Sequence, residues 1–272
     1  MQGMRAYPIL ALILLTACAG TSAPFSNALD HGPSFDFVAA ARPAVALIDA
    51  PPTLEPFRVV PVASLEEIRC LIDGAKPPVE PPSKSAVDLV EPVQLDPRFR
   101  LDVRYATDRN FLGAPIYPTG RVYLQRPAAE ALVRAQSRLR PLGFGLMLHD
   151  GYRPWRVTKL FFEAVPPDQR AFVADPSRGS RHNRGCAIDV SLFDLATGAP
   201  VACPSDYDAF TDSAAPTFRG GTAIQTWRRD ILRAAMEAEG FYVNSREWWH
   251  FDYRDWMNYP ILDVSFDELE RR

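Results

Sequence analysis

Several absences narrow what this sequence can be. No run of lysine and arginine stands out and the formal net charge is −3, so a nucleic-acid partner is disfavoured. The four cysteines form no C-x-x-C pair, which excludes a thiolate zinc ribbon and a thioredoxin-like motif. The apolar stretch near the N-terminus, Ile9 to Leu15, is far below the ~20 residues that span a bilayer. No repeat period is apparent. Histidine is scarce, with only His31, His149, His182 and His250. What remains is an ordinary globular composition over 272 residues, 47% apolar and 23% charged, which rules out wholesale disorder and fibrous repeats. At roughly 150 residues per domain, that length allows one large domain or two small ones.

Proline is the outlier. Of 26 prolines, 14 fall in the first 97 residues, so the two ends of the chain are built differently. Arg5, the apolar stretch and the small residues Thr16, Ala17 and Cys18 make a secretory signal. The tail Leu15-Thr16-Ala17-Cys18 resembles the bacterial lipobox, in which the cysteine is lipidated and becomes the first mature residue. Several acyl chains on Cys18 supply more than the two signals that stable membrane anchoring requires. Simple cleavage with Cys18 lost is the alternative. The lipoprotein reading makes residues 1–17 a signal peptide and expects an exported, periplasmic protein. Its only membrane contact is the lipid, and Ala19 favours the outer membrane. Cys70, Cys186 and Cys203 then leave room for one disulfide of unspecified pairing.

Residues 18–85 read as a Pro-rich tether, because so many prolines cannot sustain long helices or central strands. Three of its pieces, Phe35 to Val38, Ala44 to Ile48 and Ser64 to Ile72, are apolar enough to dock. Beyond them, residues 86–272 read as one α+β domain with a mainly antiparallel sheet flanked by helices, since strands and helices do not alternate in βαβ rhythm. Strands are expected at 101–105, 144–148, 186–192, 241–243 and 248–253. Helices are expected at 128–140, from Pro154 as first residue, and at 223–239.

Two histidines lie in segments dense in polar groups. One is Ser180-Arg-His182-Asn-Arg-Gly185-Cys-Ala-Ile-Asp189, the other Glu247-Trp-Trp-His250. Along the strand after Gly185, Cys186, Ile188 and Val190 point one way while Asp189 and Ser191 point the other. The turn at Gly185 folds His182 back toward Asp189. Two imidazoles and a carboxylate suit an open catalytic zinc site, and a companion carboxylate serves as base. The competing reading is structural: His182 a surface turn residue, Asp189 a buried hydrogen-bonded carboxylate, Glu247 and His250 a cross-strand pair. Residues three apart in a regular strand face opposite sides, so a bulge or twist is needed to join Glu247 and His250.

These segments, with Arg104-Tyr105-Ala-Thr-Asp-Arg-Asn110-Phe-Leu-Gly113, Tyr117 and Asp150-Gly-Tyr-Arg153-Pro, resemble the D-alanyl-D-alanine dipeptidase family of the zinc D,D-peptidase superfamily. The match spans about residues 86–267, in the family's order. The resemblance implies a zinc D,D-peptidase-like fold and one Zn²⁺ held by His182, Asp189 and His250. It makes Glu247 the general base and acid, and Arg153 the support of the developing oxyanion. Tyr105, Ser180 and Asp208 would hold a small D,D-dipeptide, with Asp208 facing its ammonium. The segment around Asp208 lacks the Met-Gly step expected before it, and Asp206 competes for the role. Asp150 is the candidate anionic partner of Arg153. Two rivals remain: a carboxypeptidase trimming D-Ala from peptidoglycan stems, and a wall-binding lipoprotein with an inert zinc site.

Overall fold

A computed structural model describes residues 34–43 and 56–271. The signal, the lipobox with Cys18 and the segment Ala44 to Ile48 lie outside the described residues. In chain order the elements are α1 (Phe35–Ala40), α2 (Leu65–Leu71), β1 (Leu89–Val90), α3 (Pro92–Leu95), β2 (Arg100–Leu101), β3 (Leu124–Gln125) and α4 (Arg126–Leu139). There follow β4 (Phe144–Asp150), α5 (Trp155–Ala164), β5 (Ala187–Asp194), α6 (Ala223–Glu237), β6 (Phe241–Val243), β7 (His250–Tyr253) and α7 (Phe266–Glu270).

A five-stranded sheet of order β2-β4-β5-β7-β6 organises the domain, and β1 pairs with β3 in a small antiparallel ladder. The large sheet is mixed. β4-β5, β5-β7 and β7-β6 are antiparallel, while β2 joins β4 in parallel. A parallel neighbour needs a crossover, and α4 lies in the connection between those two strands.

β4 and β5 are buried along almost their whole length, so both faces of the sheet are covered. The pleat sorts their side chains. Phe144, Leu146 and Leu148 join Ile188, Val190 and Leu192 in the main hydrophobic core, on the face where α4 and α6 pack. Met147, His149, Asp189 and Ser191 project to the other face, where they line cavities.

The two long helices are set by local signals. α4 buries Ala128, Ala131, Leu132, Ala135 and Leu139, an i, i+3, i+4, i+7 stripe. It ends through a 3₁₀ turn, Arg140–Leu142, into Gly143 at φ 87°. α6 starts at a capping box in which Thr222 and Gln225 satisfy each other's backbone N–H. Two pieces of the Pro-rich stretch contact this body: α1 packs on α6, with Trp227 Nε1 donating to Val38 O at 2.9 Å, and α2 packs on α5.

The sequence reading needs correction at three places. The expected strand at 101–105 stops at Leu101, and Arg104–Ala106 is a 3₁₀ turn whose Tyr105 is buried. The expected strand from Trp248 begins only at His250. Pro154 is the N-cap of α5, not its first residue. Among the described residues no helix is long and apolar enough to cross a membrane.

Candidate active site

His182 opens a 3₁₀ turn, His182–Arg184, that closes on Gly185 at φ 66°. A side chain at Gly185 would be strained by that φ and would put its Cβ 2.4 Å from Leu89. The turn is pinned from below: Asn183 donates to Arg153 O at 2.9 Å, and its own Oδ1 accepts Ser180 N–H at 2.7 Å. From this turn, His182 Nδ1 donates to Gly151 O at 2.7 Å. Gly151 is confined as well, since a Cβ there would stand 2.6 Å from Tyr123 O.

β5 and β7 supply the other two donors. Asp189 and His250 are directly opposite in their antiparallel register. His250 Nε2 donates to Asp252 Oδ1 at 2.9 Å, with Asp252 two residues along and on the same face of β7. A neutral imidazole that donates from one nitrogen in this way carries a lone pair on the other. His182 Nε2 stands 3.1 Å from His250 Nδ1 and 3.4 Å from Asp189 Oδ1. His250 Nδ1 is 3.1 Å from the same oxygen. Asp189 Oδ1 is buried with no hydrogen-bond partner among the described residues.

Three electron-rich atoms facing one another would repel unless a cation lay between them. Ligands of a tetrahedral zinc, at 2.0–2.1 Å from the metal, lie about 3.3 Å from each other. The donor set and its spacing therefore fit a zinc ion. All three residues are buried.

Glu247 lies in a turn, not in the strand. His250 N–H donates to Glu247 O at 3.3 Å, and this closure solves the spacing problem, because residues three apart in a turn share a side. Glu247 Oε2 is 3.6 Å from His250 Nδ1 and accepts from Asn244 Nδ2 at 3.2 Å. Burial raises the Glu247 pKa above the ordinary glutamate value.

Arg153 sits just ahead of α5 with its charge matched by Asp150, whose Oδ2 accepts from Nη2 at 2.6 Å and Nε at 3.0 Å. Tyr117 donates to the other Asp150 oxygen at 2.8 Å. The Arg153 guanidinium also lies over the rings of Phe161 and Tyr105, at 5.0 and 5.4 Å.

A cavity of ≈ 220 Å³ gathers Tyr105, Arg153, Ser180, His182, Asp189, Asp208, Glu247 and His250 into one lining. Ser180 Oγ accepts His182 N–H at 3.2 Å. Asp208 has a positive φ of 60°, and its Oδ2 is buried without a hydrogen-bond partner among the described residues. Burial, reinforced by the nearby Asp189 carboxylate, pushes its pKa well above the ordinary value. Asp206 is elsewhere: Arg104 grips it at 2.8 and 3.0 Å beside a different cavity. The two aspartates thus line different cavities.

Tyr207, Asp252, Asn244 and Gly151 support this site and were not singled out from the sequence. Only Asp252 had a local signal, the period-two spacing from His250. Cys186 faces the core, and burial pushes its thiol up to about 12.

A family model described as Peptidase M15, D-ala-D-ala dipeptidase, matches residues 85–267. A D-alanyl-D-alanine dipeptidase of Enterococcus faecium is 33% identical over 177 residues, which is 57% of this chain and 86% of that protein. A protein of the same description from Escherichia coli (strain K12) is 30% identical over 179 residues, 66% of this chain and 91% of the relative. The solved LdcB LD-carboxypeptidase overlaps with a TM-score of 0.37 and 20% identity, over 62% of this chain and 69% of that one, too loosely to carry weight.

Proposed function

The chain belongs to the Peptidase M15, D-Ala-D-Ala dipeptidase family and is a metallopeptidase, and from that premise we propose that it hydrolyses D-alanyl-D-alanine at a zinc centre held by His182, Asp189 and His250. The observation that carries this reading is the mutual spacing of the three donor atoms, 3.1, 3.1 and 3.4 Å, beside the half-buried Glu247 carboxylate and the buried Arg153 guanidinium. Zinc bound there would polarise the peptide carbonyl and bring the pKa of a water in its open position toward ~7.

The chain's own groups carry the proton and the charge. Glu247, held by Asn244, takes the proton of the attacking water and returns it to the leaving amine. Arg153, fixed by Asp150, places positive charge where the oxyanion develops. The unpartnered Asp208 oxygen receives the substrate ammonium, and Tyr105 and Ser180 line the remainder of the dipeptide's berth. A blocked amino end would leave Asp208 buried and unpaired, which disfavours longer peptides. Cys18 and the segment ahead of it support an exported, lipid-anchored enzyme.

Hydrolysis of D-Ala-D-Ala compared with its N-acetylated form tests the reading. The free dipeptide should be cleaved, with activity lost to a chelator and restored by zinc. Equal turnover of the acetylated compound would indicate a carboxypeptidase of peptidoglycan stems and remove Asp208 from its role. No turnover of either would overturn the assignment.

A further inference from the structure

Asp189 has two oxygens, and only Oδ1 faces the imidazoles. The other, Oδ2, accepts a hydrogen bond of 3.2 Å from the Tyr207 hydroxyl. Tyr207 is 2% exposed and tightly held. Its ring stacks on His149, with centroids 4.5 Å apart and planes 12° from parallel, and meets Trp249 edge-on at 5.7 Å. His149 is fixed in turn: Nε2 is 2.8 Å from Ser191 Oγ, and Nδ1 is 3.1 Å from Asp102 O. Burial keeps this imidazole below its ordinary pKa, so the stack is between neutral rings. The next residue after Tyr207 is Asp208, in the left-handed region at φ 60° with its free oxygen in the site cavity.

The geometry points to Tyr207 as a positioning residue: its hydroxyl locks the Asp189 carboxylate so that Oδ1 alone is presented to the metal, while its stacked ring anchors the chain that delivers Asp208. This rests on the zinc reading above. A carboxylate free to rotate would spend part of its time turned away from the cation, and an anchor on the outer oxygen removes that freedom. Partners of this kind are worth 10–100-fold in metal affinity.

Tyr207→Phe keeps the ring and deletes the hydroxyl. Zinc affinity of the metal-stripped full chain, measured by competition with a chromophoric chelator, should fall about tenfold. The melting temperature of the metal-free protein reports whether the fold is intact and should hold. The visible spectrum of the cobalt(II)-loaded protein should change in intensity, because the carboxylate then samples more than one binding mode. An affinity within twofold of wild type together with an unaltered cobalt spectrum overturns the inference and leaves Tyr207 a packing residue. A wild-type chain that binds no zinc overturns the metal reading itself, which separates the two failures.

Discussion

Nε2 of His182 stands 3.1 Å from Nδ1 of His250, and each ring has an acceptor on its far side, Gly151 O for His182 and Asp252 Oδ1 for His250. With Asp189 Oδ1 as third vertex, that pairing gives a buried cluster that could hold a metal ion. The outer acceptors fix tautomer and ring orientation, the role such groups play for ligating histidines.

Glu247 should be separable from metal binding. Glu247→Ala should retain one zinc per chain by elemental analysis. Its kcat on D-Ala-D-Ala should drop by about 10²–10⁴, the usual worth of a general acid–base. Unchanged turnover would remove Glu247 from the mechanism.

Asp208 should act on substrate binding. Asp208→Asn keeps the shape and removes the charge, so kcat/KM for the free dipeptide should fall about 10–100-fold, the worth of one hydrogen bond to a charged group. The preference over the N-acetylated dipeptide should collapse with it. Retention of that preference would place the ammonium elsewhere.

Asp96 offers a test of stability far from the chemistry. Its carboxylate takes Arg98 Nε and Nη2 at 2.7 and 2.8 Å and Gln136 Nε2 at 2.9 Å, joining the start of the domain to α4. Hydrogen bonds from Arg98 lead in lowering its pKa to about 2 from 3.8. A depressed folded-state value means the stabilisation is complete above the unfolded value and is lost as pH falls through about 2. Asp96→Asn should therefore cost roughly 1–2 kcal/mol at neutral pH by denaturant melt. The gap to wild type should close between about pH 4 and pH 2. A gap that does not depend on pH would show that the charge is not what stabilises.

Cys18 should carry the lipid. In cells fed a labelled fatty acid, the wild-type chain should take up label and sediment with membranes, and Cys18→Ala should do neither. Label retained by the variant would place the modification elsewhere.

The residues that resemble the family were legible because each sits on a short local device: a turn at Gly185, a strand carrying Asp189, a helix start beside Arg153. The sequence points to Asp208 with Asp206 as a competitor, and the Arg104 contact at 2.8 Å holds Asp206 beside a different cavity. Tyr207 has no local signal, because its bond to Asp189 spans 18 residues of chain and its ring is held by His149 and Trp249, both distant in sequence. The alternation of residue types over 101–105 does not mark a strand, because Val103, Arg104 and Tyr105 are buried in succession where the chain enters the turn Arg104–Ala106. Glu247 and His250 share a side because the chain turns between them, where a regular strand would place them on opposite faces.

The most direct measurement is anomalous scattering from a zinc-soaked crystal, collected on both sides of the zinc absorption edge. One peak should appear within bonding distance of His182 Nε2, Asp189 Oδ1 and His250 Nδ1 together. An empty cluster, or zinc bound only at other residues, would contradict the account.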